Sequence, residues 1–233
     1  MSEKKNYLTI ERLNKIPWLI HGFGLAGFQS QELKAESGLN YFEPVEMSQQ
    51  HSARVLFIEN FPAHKLSGDG LITAASGLLL IIKTADCLPI FLIDLENRAV
   101  AAIHCGWRGT AQKIVIKAFE LMQQKFNSQA RNMLAALGPC IEQNCYEVGN
   151  EVLKIFTQAG FPVDLFFRPV RIADKFLLDL RGTNYWLLSR VLGIPEENIL
   201  QKNLCTFCHP GLISYRRNKE QKERLINFIG IKK

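Results

Sequence analysis

Three nearly uninterrupted apolar runs occupy the middle of the chain, at residues 77–83, 88–94 and 98–105. Runs of this length without polar alternation predict strands buried on both faces. The break between the first two, Thr-Ala-Asp-Cys-Leu-Pro, is informative. Pro89 cannot donate to a sheet ladder, so residues 86–88 are expected to bulge or leave the sheet and expose Cys87 to a cavity. Residues 106–110 form a tight glycine turn, with Thr110 expected to cap a helix. Behind it Ala111, Ile114, Val115, Ala118, Phe119, Met122 and Phe126 recur at helical spacing.

The flanks read less sharply. The first fifty residues suggest an entry strand or two, with His21 as a packing residue in a glycine-bounded turn and residues 29–46 as loop. Residues 52–60 predict a short strand that places His51 at its edge, and the Pro- and Gly-containing stretch after it must turn the chain, carrying a solvated His64. A strand is expected at 133–138, then a helix with Asn150 as cap and Gly160 as stop. Strands follow at 165–170 and 175–180, a helix at 183–192 ending at Gly193, and a helix or strand through 225–231. Neither an internal repeat nor a linker interrupts the chain, and 47% apolar residues are ample for a core. Residues 1–233 are therefore expected to form a single domain.

No run approaches the ~20 apolar residues that span a bilayer, and the start lacks the apolar segment of a secretory signal. A cytoplasmic protein without a membrane partner is expected. Six cysteines in 233 residues are too dilute for a disulfide scaffold and read as core, ligand or nucleophile. The net charge of +6 suits an anionic partner. Outside Arg216, Arg217 and Lys219, and Lys232 and Lys233, the basic residues are scattered without a nucleic-acid motif. A small phosphorylated substrate fits them as well, and no nucleic-acid partner is expected.

The candidate chemistry lies at the ends of the apolar runs. Cys87, His104 and His51 supply one thiol and two imidazoles, the ligand set of a three-coordinate zinc with its fourth position open. Cys87 alone would read as a core cysteine; the two histidines change that. The same residues also permit Cys87 to act as a nucleophile activated by His104. Asp69 is either a carboxylate that orients a ligand imidazole or a turn aspartate. Arg108, at a strand-to-helix turn, is a candidate anchor for phosphate. Glu147 is either a general acid or base or a carboxylate favoured by a helix start, and Asp86 is a second candidate proton carrier. Cys140, Cys145, Cys205 and Cys208 offer a rival closed zinc site. Copper fits less well, because five histidines cannot furnish a multicopper cluster.

QQHS near residue 50, GDGLIT, TADCLPIFLID, AAIHCGWRGT, GPCIEQNCYEVG, DLRGTN and CTFCHPGLISYRR occur in that order. Together they resemble the laccase-domain, or polyphenol oxidoreductase-like, family, whose members are described as purine nucleoside phosphorylases and some as peptidoglycan editing factors. The resemblance covers most of the chain from His51 to Arg217. It implies an α+β fold of mixed sheets flanked by helices and makes His51, Cys87 and His104 the ligands of a catalytic zinc. It further implies phosphorolysis of adenosine, inosine, guanosine and methylthioadenosine with purine nucleoside and phosphate as partners, together with adenosine deamination. Ser52 stands where the family pattern has glycine, and GLAG follows the HGF segment where Thr-Arg-Gly-Gly is common. The alternatives are a Cys-His hydrolase editing peptidoglycan precursors and, further off, a polyphenol oxidase or a protein that binds an anionic polymer. The sequence leaves the oligomeric state open.

Overall fold

The computed structural model describes residues 6–34, 36 and 38–233. The apolar runs are the strands Leu78–Thr84, Leu88–Asp94 and Ala99–Cys105. The last two pair antiparallel at the centre of a six-stranded sheet ordered Ile199–Gln201, Met133–Leu137, Leu88–Asp94, Ala99–Cys105, Gly70–Thr73, Val55–Phe57. Leu78–Thr84 belongs to a five-stranded sheet, in the order Tyr7–Leu8, Leu19–Gly24, Leu225–Ile231, Leu78–Thr84, Glu43–Val45. Inner pairings are antiparallel, and parallel pairing is found at the sheet edges. The fold is thus α+β with mixed sheets.

Stacking of layers explains the unbroken apolar runs. Ile90, Leu92, Ala101 and Ile103 point toward Ile114, Val115, Ala118 and Met122 of the helix Ile114–Phe126. Their neighbours Phe91, Ile93, Val100 and Ala102 point the other way, onto Leu80, Ile82 and Ile229 of the five-stranded sheet. Phe23 and Phe91 stack between the sheets with ring centroids 4.8 Å apart. The outer face of the five-stranded sheet is covered in turn, by Phe28, Leu33, Leu39 and Phe42 over Leu79, Ile81 and Phe228. A strand covered on both faces keeps its period of two in space while losing it from the sequence. A third sheet, Glu147–Gly149, Lys175–Leu178 and Phe167–Pro169, joins the helix-side core through Val148, Phe167 and Leu178.

Several sequence expectations are corrected. Thr110 is not a helix cap: a short helix already starts at Trp107 after Gly106, and the Thr110 hydroxyl accepts a hydrogen bond from Asn184 Nδ2. The chain breaks at Lys113, whose φ is 59°, before the main helix begins. Gly149, not Asn150, caps Asn150–Gln158, although Gly160 does stop it with φ 77°. The helix expected at 183–192 starts earlier, at Leu180, because the Asp179 side chain accepts the Gly182 N–H. Residues 52–60 contribute only Val55–Phe57. The 29–46 loop contains a short 3-10 turn, Ser30–Lys34, and the strand Glu43–Val45; residues 35 and 37 lie outside the described residues. The tail at 225–231 is a strand, and His21 sits in Leu19–Gly24 with Nε2 accepting the Ile10 N–H. Among the described residues no helix is long and apolar enough to cross a membrane.

Candidate active site

Strand register builds the site. In the central hairpin His104 lies opposite Pro89 and Cys105 opposite Leu88, so Cys87, one residue before its strand begins, emerges beside His104. Asp86 takes φ 83°, the left-handed turn that releases the chain from the sheet where the sequence predicts a break. On the other side of His104, Ile103 pairs with Gly70, and the His104 N–H donates to the Asp69 carbonyl at 2.7 Å. The third member, His51, sits in a turn at φ 56°, ahead of its strand rather than on its edge. The ligand atoms of His51, Cys87 and His104 all lie within 4.8 Å of one another. The imidazole centroids are 4.9 Å apart at 74°.

Asp69 holds this arrangement in place. Fully buried, it accepts the amides of Gln50, His51 and Ser52, the Ser52 hydroxyl at 2.6 Å, and His104 Nδ1 at 2.8 Å. It thereby shapes the His51 turn and leaves His104 Nε2 to face Cys87. Ser52, where this chain departs from the family pattern, adds one of these bonds. Burial alone would raise the Asp69 carboxyl, but the bonds from His104 and Ser52 outweigh it and hold it well below the usual range. Burial also opposes ionisation of Cys87, yet the charge and hydrogen bond of His104, then those of His51, draw its thiol down to about 6. His104 moves oppositely: burial would lower it, while the Cys87 charge and the Asp69 bond raise it to about 9. The result is a thiolate beside an imidazolium, with an aspartate behind.

A metal ion fits this donor set. Zinc bonds of about 2.0–2.3 Å bring all three ligand atoms within reach of one ion after small side-chain rotations. The thiol is already drawn toward its ligating form, and Asp69 fixes the His104 tautomer. Gly106 forms the back of the cradle: a Cβ there would stand 3.0 Å from Cys87 Sγ and 3.1 Å from His51 Cδ2. Exposure rises from His104 through Cys87 to His51, so the group opens on one side.

That side is a cavity of about 920 Å³. Among the described residues its lining joins the three to Trp107, Tyr146 and Tyr215 and to the cations Lys83, Arg108, Arg216, Lys219 and Arg224, against the one carboxylate of Asp86. Arg108 lies over the Trp107 ring at 4.4 Å and Arg216 over Tyr146 at 5.5 Å. Lys83 is partly neutralised by Glu46 at 2.6 Å. Tyr146 keeps its phenol proton, since burial and then the Cys87 charge push its pKa up. Flat aromatic faces with surrounding cations suit a base and an oxyanion bound together.

The structure thus brings His51, Cys87, His104 and Arg108 to one cavity. It does not bring Glu147. Strand alternation turns Val148 into the core and Glu147 outward, 3.9 Å from Lys175 Nζ, leaving only its backbone carbonyl to accept from Arg216. Asp86 does line the cavity, but its oxygens accept Thr206 Oγ1 and the Arg216 N–H at 2.7 Å each, so it anchors the 206–216 segment. Sequence reasoning missed Tyr146, Trp107 and Arg216 as wall residues. All three stand in the quoted motifs CYEVG, GWRG and SYRR, which was the available signal.

Residues 29–232 match the family described as multi-copper polyphenol oxidoreductase laccase. A relative from an unknown prokaryotic organism, named adenosine deaminase RL5, is 35% identical over 195 residues, covering 79% of this chain and 74% of that one. A relative from Bacteroides thetaiotaomicron, named purine nucleoside phosphorylase, is 33% identical over 166 residues, covering 71% of this chain and 61% of its own length. The crystal structure of the Bacillus licheniformis hypothetical protein YfiH has the same fold, with a TM-score of 0.88 at 24% identity over 99% of this chain and 98% of that one.

Proposed function

Because the chain belongs to the multi-copper polyphenol oxidoreductase laccase family, we propose that it is a zinc-dependent purine nucleoside phosphorylase with adenosine deaminase activity. Its substrates in this reading are adenosine, inosine, guanosine and methylthioadenosine with phosphate. The observation that carries the reading is the convergence of His51, Cys87 and His104 at a cavity lined by aromatic rings and cations. The names of relatives as purine nucleoside phosphorylase and adenosine deaminase support it. Zinc rather than copper is the ion, since one thiol and two imidazoles make an open zinc site while five histidines cannot supply a coupled copper cluster. Residues 1–233 act as one unit, a reading supported by the strand Leu225–Ile231, which lies between Leu19–Gly24 and Leu78–Thr84. A reducing cytoplasm suits its six free thiols.

Zinc held by His51, Cys87 and His104 would supply Lewis acidity at the cavity floor. The chain's own residues do the rest. Asp69 orients His104, and Trp107 and Tyr146 present faces on which a purine can stack. Arg108 and Arg216 place positive charge where phosphate must approach the ribose. In phosphorolysis a phosphate oxygen bonds to C1′ as the C1′–N9 bond breaks; the electron pair leaves with the purine, which takes up a proton. In deamination a water oxygen replaces the amino group at C6, which leaves as ammonia.

One observation favours a second reading. Cys87, His104 and Asp69 form a thiolate, imidazolium and carboxylate series, the arrangement of a Cys-His hydrolase acting on a peptidoglycan precursor. Turnover of adenosine by wild type and by Cys87→Ala, each before and after chelation, separates the two. The phosphorylase reading expects loss of adenine and inosine formation in the variant and on chelation, with recovery of wild type on adding zinc. Zinc-loaded wild type that leaves adenosine untouched but cleaves a peptidoglycan precursor, in a reaction that survives chelation and is lost on thiol alkylation, would favour the hydrolase.

A further inference from the structure

A second group of thiols begins one residue before Tyr146 of the cavity wall. Cys145, Cys205 and Cys208 come from segments about sixty residues apart, yet their sulfurs all fall within 4.8 Å of one another. Cys145 Sγ and Cys208 Sγ are 3.4 Å apart and not bonded. Two thiolates on one tetrahedral zinc, each at about 2.3 Å, lie roughly 3.8 Å from one another. A disulfide would need about 2.05 Å.

The loop holding these sulfurs is set up for a charged ligand. Cys205 Sγ accepts the Glu142 N–H at 3.5 Å, so a backbone dipole already faces this sulfur. The His209 N–H closes the turn on the Cys205 carbonyl at 3.0 Å. Arg217 braces it from outside by donating to the carbonyls of Thr206, Phe207 and Leu212. His209 is not the fourth ligand, because its Nδ1 accepts the Gly211 N–H and the proton therefore resides on Nε2. Cys140, although bridged to Cys205 through the backbone, is fully buried and its sulfur stands outside the group.

We propose that Cys145, Cys205 and Cys208 bind a zinc(II) ion through three thiolates, with water in the solvent-facing fourth position, distinct from the ion of the cavity. On binding, three S–Zn bonds form and the thiol protons still present pass to solvent. The ion ties two parts of the cavity wall together. Cys145 precedes Tyr146, and the loop carrying Cys205 and Cys208 continues to Arg216, which Asp86 holds by its amide. The ion is a staple for the wall.

The test is made in a Cys87→Ser chain, where the cavity thiolate is gone, so loss of nucleoside turnover leaves the outcome unaffected. Reduced full-length protein is dialysed against zinc, and bound metal is measured. About one zinc per chain is expected, lost when Cys145→Ser and Cys208→Ser are added. Titration with cobalt(II) should give a sulfur-to-metal absorption band in the first protein and none in the second. Zinc should also shield Cys145, Cys205 and Cys208 from iodoacetamide, mapped by mass spectrometry on the Cys87→Ser chain, a readout that does not depend on folding of the triple variant. Zinc-free protein with all three thiols reactive overturns the proposal. So does recovery of a Cys145–Cys208 disulfide under reducing purification, or metal content unchanged by the serine substitutions.

Discussion

Asp69 does more for the site than any residue that would touch a substrate. Removing its carboxylate strands the amides of Gln50, His51 and Ser52 together with the charged His104 ring. Asp69→Ala is expected to lower the unfolding free energy of metal-free protein by about 3–5 kcal/mol in urea titrations; a loss below about 1 kcal/mol would contradict the role assigned here. The pH dependence follows from the same residues. The folded Asp69 carboxyl lies below its free value of 3.8, so its stabilisation is present above that pH and is lost as pH falls through the folded value. Alone, the Cys87 shift would add stability lost as pH falls from about 9 to about 6, and the His104 shift stability lost as pH rises from 6.5 to about 9. Together they move one proton from sulfur to imidazole, so the slopes cancel. Stability of metal-free protein should be flat between about pH 6.5 and 9. The ion pair should instead be visible in reactivity: iodoacetamide labelling of Cys87 should persist down to about pH 6. Labelling that falls away below about 8.5, as for an ordinary thiol, would rule out the pair.

At the scale of elements, the hairpin joining Leu88–Asp94 to Ala99–Cys105 sets the site, and the turn after it completes the cradle. Gly106 has an ordinary φ of −75°, so alanine there adds crowding without backbone strain. Gly106→Ala should leave the protein folded while weakening zinc binding about 10- to 100-fold, as displaced ligands do. Unchanged affinity in a competition titration with a chelator would show that the ion does not sit in this cradle. The hairpin was legible in the sequence because Pro89 and the apolar runs mark its strands. His51, Cys87 and His104 were legible as candidates, and the fold does bring them together, but their meeting depends on register, which two-sided apolar strands do not encode visibly. Asp69 was legible as either a carboxylate that orients an imidazole or a turn aspartate, and it does bond His104 Nδ1, but its pull on three consecutive amides carried no signal. Glu147 was legible only as a carboxylate near a helix start, and strand alternation decided that it faces Lys175. Thr110 resembled a cap because the helix break at Lys113 requires a left-handed residue that sequence pattern does not mark.

At the scale of the molecule, the layered sheets bring sequence-distant segments to one end of the six-stranded sheet. The floor of the cavity comes from residues 51, 87 and 104, and three of its cations, Arg216, Lys219 and Arg224, from the segment that follows the Cys205 loop. The basic residues, uninformative when scattered along the sequence, place five cations around one opening among the described residues, with Lys83 paired to Glu46. Such a concentration favours an anionic co-substrate and predicts that turnover falls with rising salt as charges are screened. The central claim is that the opening joins phosphate and a purine nucleoside over a zinc ion. The most direct measurement is release of free base from adenosine and inosine by purified protein, with and without phosphate and before and after chelation, with bound zinc quantified in the same sample. The account predicts base release that requires phosphate, stops on chelation and returns with zinc. Folded, zinc-loaded protein that releases no base from either nucleoside in the presence of phosphate would contradict it.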